Sequence, residues 1–202
     1  MNKPEFTAIT TGLAIAALGT AAHAGQPLQT EDAAVLERGA CEVEGRTLRA
    51  SGAAQRSTED TLGLACGFGL NSQVGLGVTA LRCGGERTRS AALGGKTGLW
   101  KSGEGDEAVA LSLAWAVSAD HAASGWRRSA TDFSLVATWP VSAGAWHLNL
   151  GHHRQPRPSL GSTPWNLAFE HDGFDVGGVK LAPMAEVFGD DRGARWWNFA
   201  AR

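Results

Sequence analysis

The chain has 202 residues, 43% of them hydrophobic, and its 18 Lys and Arg nearly balance 20 Asp and Glu, for a net charge of −2. That balance excludes nucleic-acid binding driven by bulk charge, which needs a clustered basic excess. Glycine, at 27 residues, is about twice its average share of ~7%, but it has no three-residue period, which excludes collagen, and the length suits one domain with its own core.

The first segment reads as a secretory signal peptide. Lys3 precedes an uncharged run from Phe6 to Ala22 that ends in Ala22-His23-Ala24, a basic start, an apolar stretch and a small-x-small cleavage pattern. The run is too rich in Ala, Thr and Gly for a membrane span, which needs ~20 strongly apolar residues. Residues 1–24 are the expected leader and 25–202 a single exported domain.

Beyond the leader the dominant pattern is alternation. Leu62, Leu64, Cys66, Phe68 and Leu70 alternate with small residues, and after Asn71-Ser72-Gln73 come Val74, Leu76 and Val78. Period two on both sides of a short polar turn is a β-hairpin. The pattern recurs at Val109–Val117, Phe133–Trp139, Trp146–Leu150 and Trp165–Phe169. Ten strands are expected near 40–50, 61–70, 74–82, 87–100, 108–119, 131–140, 144–152, 164–171, 178–188 and 194–202. Long or charged connections are expected at 51–60, 83–86, 120–130, 153–163 and 189–193, and tight ones at 71–73, 141–143 and 172–177, with 101–107 intermediate. An even strand number with turns of two kinds predicts an all-β, antiparallel up-and-down barrel of the outer-membrane type.

The positions between the apolar ones carry the candidate functional residues. Glu42, Glu44, Arg46, Lys96, His147, Asn149, Asn166, Glu170, Lys180 and Glu186 share the polar register and are expected to line the lumen, as a possible solute path, when lipid covers the apolar face. A soluble barrel with an apolar ligand cavity would invert the two faces, and alternation alone does not separate these. Tryptophan favours the first: Trp139 and Trp146 flank one turn while Trp165 and Trp197 lie at the other rim, in apolar register, as an interfacial belt requires. Trp100 and Trp196 fall out of register.

Chemical motifs are weak. Gly94-Gly95-Lys96-Thr97 imitates the end of a phosphate loop, but its first glycine position is Ser90 and the surroundings alternate as a strand. His152-His153 would face opposite ways on a strand. Glu42 and Glu44 could form an acid/base pair, but Arg46 beside them favours a charge ladder. Nothing in these residues argues for catalysis, a metal or a cofactor. Of Cys41, Cys66 and Cys83, the first two lie on neighbouring strands in the same register, so a disulfide between them is possible.

Three stretches, "TEDAAVLERGACEVE" at 30–44, "LACGFGLNSQVGLGV" at 64–78 and "AEVFGDDRGARWWNFAAR" at 185–202, resemble bacterial outer-membrane proteins of the phenol meta-pathway degradation type. The resemblance covers about a quarter of the chain. It implies an outer-membrane β-barrel and a pore for small organic molecules, and it supplies no catalytic residues. One departure is the end, Phe199-Ala200-Ala201-Arg202, where such barrels usually finish on an aromatic residue. The expected partners are outer-membrane lipid and a small organic solute, aromatic compounds included. A soluble periplasmic barrel or sandwich holding an apolar ligand is the alternative.

Overall fold

A computed structural model describes residues 7–10, 30–51, 56–103, 108–122, 125–156 and 159–201. Most of the expected leader lies outside them. The strands are β1 (Thr7–Thr10), β2 (Cys41–Ser51), β3 (Arg56–Gly69), β4 (Ser72–Cys83), β5 (Glu86–Ser102), β6 (Val109–Ala122) and β7 (Gly125–Val141). They continue as β8 (Gly144–Pro156), β9 (Ser159–Ser162), β10 (Pro164–His171), β11 (Phe174–Val176), β12 (Val179–Leu181), β13 (Pro183–Asp190) and β14 (Arg195–Ala201). All but β11 and β12 belong to one sheet, which runs β1 to β8, then β10, β13 and β14, with β9 pairing β8 beyond the start of β10. The expected all-β, up-and-down architecture is therefore what forms, as a sheet curled into a half-barrel of about 10 strands.

The strands are longer than the apolar pattern predicts. The connection expected at 83–86 shrinks to Gly84-Gly85, residues 56–60 belong to β3, and β6 and β7 extend to Ala122 and back to Gly125. Positions 153–156 likewise extend β8, and 159–162 form β9. The reason is physical. At this end the outward positions change from apolar residues to Arg and Thr, so the hydrophobic period stops while the backbone ladder continues, as in Arg82↔Arg87 and Arg89↔His121. The expected ninth strand, 178–188, divides instead. Gly177 and Gly178 take φ of 60° and 85°, which closes β11 on β12 as a separate hairpin, and β13 restarts at Pro183.

Burial is inverted relative to a water-soluble core. Among the described residues the largest fully buried side chains are Val136, Thr30 and Ser112, all on the concave side. Large apolar side chains are outside and exposed, among them Val43 at 66%, Leu76 at 63% and Trp197 at 71%. The out-of-register Trp100 finds its place through a bulge: the ladder shifts between Gly98 and Trp100, so that Trp100 pairs with outward Leu111. Asn71 pins that bulge, donating from Nδ2 to the Gly98 carbonyl (2.8 Å) while its own carbonyl accepts from the Gly98 amide (2.9 Å). A bulge adds one residue to one strand and re-aims those beyond it.

Two opposed strands are also bridged covalently. Cys41 and Cys66 are ladder partners 4.1 Å apart at Cα and form a disulfide, while Cys83 is a half-buried thiol.

Candidate functional site

The concave face is not empty. Residues 30–40, immediately before β2, cross it as an extended strap and are hydrogen-bonded to successive strands. The Thr30 amide and hydroxyl both donate to Glu186 Oε2 on β13, at 3.0 and 2.8 Å. With its amide oriented to satisfy both partners, Asn149 on β8 donates to the Glu31 carbonyl (2.9 Å) and accepts from the Glu31 amide (2.8 Å). Lys96 Nζ on β5 reaches the Asp32 carbonyl at 3.0 Å and its carboxylate at 3.5 Å. The Ala33 amide donates to Thr138 Oγ1 on β7, and the Leu36 amide to Gln73 Oε1 on β4. The strap ends at a bridge from Arg38 to Gly67 on β3.

Why an irregular segment can lie inside follows from this pairing. A buried backbone amide or carbonyl without a partner is costly, and polar side chains from five strands supply the partners here. Gly67 supplies the clearance: a Cβ there would collide with the carbonyl oxygens of Leu36 and Glu37. Only glycine allows the strap so close.

The sequence-derived lumen set falls on this surface, Lys180 excepted. Glu42, Glu44 and Arg46 stand on the concave side of β2, with Arg46 paired to Glu59 at 3.0 Å. Glu44 sits among Glu42, Glu31, Lys96 and Asp32 and interacts electrostatically with each. Lys96, Asn149 and Glu186 anchor the strap, and Glu186 also accepts from Asn198 Nδ2 at 3.1 Å. His147 is 5% exposed and its Nδ1 lies 2.9 Å from Thr138 Oγ1, with Nε2 facing Glu170 Oε2 at 3.9 Å. Asn166 follows on β10, opposite Asn149. Lys180 is placed elsewhere: it is exposed on the β11–β12 hairpin, where its chain lies against Gly173. The split of the ninth strand moves it off the sheet.

A cavity of about 340 Å³ opens on the concave face near the long-strand end, lined by Asp132, His153, Ser162, Asn166, Phe188, Asp190 and Trp196, with Pro164 and Gly189. Trp196, out of the apolar register, is the inward partner of Phe188 and stacks on it at 5.6 Å. His153 Nδ1 and Asp132 Oδ1 are 2.5 Å apart. Ser162 stands opposite His153 in the ladder but makes no hydrogen bond to it, so the three do not form a nucleophile relay here. No group of three or more His, Cys, Asp or Glu suited to a metal ion occurs among the described residues. What this arrangement offers is a small recess with an aromatic wall and an acidic rim.

Sequence reasoning missed the Asp132–His153 pair, although a signal existed. A tight turn at 142–143 forces pairs whose numbers share one sum, as Val141↔Gly144 does, and Asp132↔His153 belongs to that series. The strap left no comparable trace, because a segment paired through side chains has no period. Comparison with protein-family models, with curated proteins and with solved structures gave no match.

Proposed function

We propose that this protein is a bacterial outer-membrane β-barrel whose lumen is narrowed by its own N-terminal strap. The observation that carries the reading is the inverted burial: large apolar side chains cover the outward face, while charged and amide groups and small residues fill the concave one. An outward face with Val43, Leu64, Leu76, Leu93, Leu135, Leu150 and Val187 all exposed is unusual for a soluble monomer, whose apolar patches are normally small. In a bilayer it is the lipid-facing band of a barrel, with Trp139, Trp146, Trp165 and Trp197 toward its two margins. Strap anchoring by Glu186, Asn149 and Lys96 supports a structural or closed barrel over a wide pore. If the lumen passes solutes they are small, and small aromatic compounds, the class suggested by the family resemblance, are the first to test.

Cell fractionation decides the main point. Expressed with its leader in a Gram-negative host, the protein is expected in the detergent-requiring outer-membrane fraction, with heat-modifiable migration in gels. Recovery as a soluble monomer in an osmotic-shock extract would overturn the reading and favour a periplasmic ligand-binding barrel.

A further inference from the structure

Charge is sorted by face in a way that the net value of −2 conceals. Among the described strands, the carboxylates lie almost entirely on the concave side: Glu42, Glu59, Asp120, Asp132, Glu170 and Glu186 all share the inward register. The outward face of the long-strand end is the opposite. Arg49 on β2, Arg82 on β4, Arg87 and Arg89 on β5, Arg128 on β7 and Arg154 on β8 are all exposed and share the register of the apolar band. The one outward carboxylate on these strands is Asp60, which pairs with Arg82 at 3.3 Å.

The ladder puts these arginines side by side. Arg49 and Arg82 both oppose Thr58, and Arg82 directly opposes Arg87, with strands ~4.8 Å apart. Arg89 stands two residues from Arg87 on the same face, about 7 Å along the strand. Like charges directly opposite one another weaken a sheet, so a row of this kind is stable when anions lie between its members. The position is equally specific. Immediately inside Arg87 and Arg89 the outward positions become Ala91 and Ala119, the latter opposite Arg128, then Leu76, Leu93 and Val117. Beside Arg89, in the ladder through His121, stands Trp126, 54% exposed, its ring packed edge-on against His121 at 5.3 Å. Arg89 is level with this indole, Arg87 one step farther out and Arg128 one step nearer the apolar band, so indole and guanidinium groups share one margin, as aromatic and cationic side chains do at the interface of a lipid leaflet. Guanidinium also binds phosphate oxygens in bidentate fashion.

We propose that this outward arginine row binds the phosphate groups of anionic lipid headgroups at one margin of the apolar band. The inference rests on the membrane reading above, and it adds the lipid class and the residues that select it. Its test uses the refolded full chain in phosphatidylcholine vesicles carrying either spin-labelled phosphatidic acid or spin-labelled phosphatidylcholine, with the motionally restricted fraction read by electron spin resonance. The wild type is expected to prefer phosphatidic acid, less so as salt rises. The R87Q/R89Q/R128Q variant is expected to lose that preference by up to about fivefold per arginine at low salt. Arg127→Gln, opposite Asp120 on the concave face, is expected to leave it unchanged. Equal restriction of both lipids by the wild type would overturn the proposal while leaving the membrane reading intact. Absence of any restricted lipid would instead sink the membrane reading. Stabilisation by inorganic phosphate in neutral detergent, without lipid preference, would reassign the row to a free anion and overturn the lipid assignment.

Discussion

The two faces of β10 are one residue apart and obey opposite rules. Leu167 pairs outward with Leu148 and Val187, in a surface whose large side chains stay exposed. Asn166, its neighbour, faces a recess with Asp132 and Asp190 and pairs with Asn149, which holds the strap. Around Leu167 the outward face is apolar. The concave face is specific, because Arg46, Lys96, Asn149 and Glu186 there each have a named partner. Large apolar groups therefore define the environment of this protein, and its small and polar groups define its shape.

The largest effect should come from placing a charge on the outward face. Leu167→Arg is expected to cost ~2–4 kcal/mol of insertion free energy when the site is near the middle of a bilayer, and so to abolish heat-modifiable assembly in vesicles. Asn166→Arg, beside two aspartates, should assemble far better. Equal outcomes for the pair would erase the distinction between the faces.

Next in size is the strap anchor. Glu186 is 3% exposed and accepts from the Thr30 amide, the Thr30 hydroxyl and Asn198. Glu186→Ala leaves buried donors without that acceptor and is expected to destabilise by about 3 kcal/mol in urea unfolding. Glu186→Gln, which keeps one acceptor, should lose less. Identical losses would mean that the carboxylate is not what holds Thr30.

Gly67→Ala attacks the same strap from its other end. The added methyl meets the Leu36 and Glu37 carbonyls, and a cost of about 1–3 kcal/mol is expected. If the strap closes the lumen, this variant should also conduct in planar bilayers where the wild type is closed. Unchanged stability would place the strap away from β3.

The smallest effect is expected at the recess. The side chains of His153 and Asp132 are 32% and 42% exposed, so Asp132→Asn should cost under ~1 kcal/mol. It should nevertheless weaken any small cationic or aromatic ligand that the recess holds, measured by quenching of tryptophan fluorescence. A stability loss well above that size would show the pair to be a structural element and not an accessible site.

Much of this was legible in the sequence because a strand imposes a strict period of two. Val74, Leu76 and Val78 declare a face without reference to anything distant, and the turn at 142–143 then sets which residues of β7 and β8 meet. From the same period the concave positions of Glu42, Lys96, Asn149 and Glu186 could be read, and the Cys41–Cys66 bridge could be anticipated as possible. The period failed where its chemistry changed. Strand extensions carrying Arg56, Arg128 and Arg154 look like loops, because an outward strand above an apolar band no longer needs apolar residues.

Tertiary structure alone decided the rest. Sequence determined that strands form, how they alternate, and that one class of side chain shares each face, since these depend on residues two apart. It did not determine that Trp100 returns to the outward face, because a bulge is set by Asn71 meeting Gly98 across a ladder. Nor did it determine that Lys180 leaves the sheet, or that Phe188 stacks on Trp196. The strap is the clearest case: its backbone partners come from β4, β5, β7, β8 and β13, and contacts between groups up to 156 residues apart leave no local pattern to read.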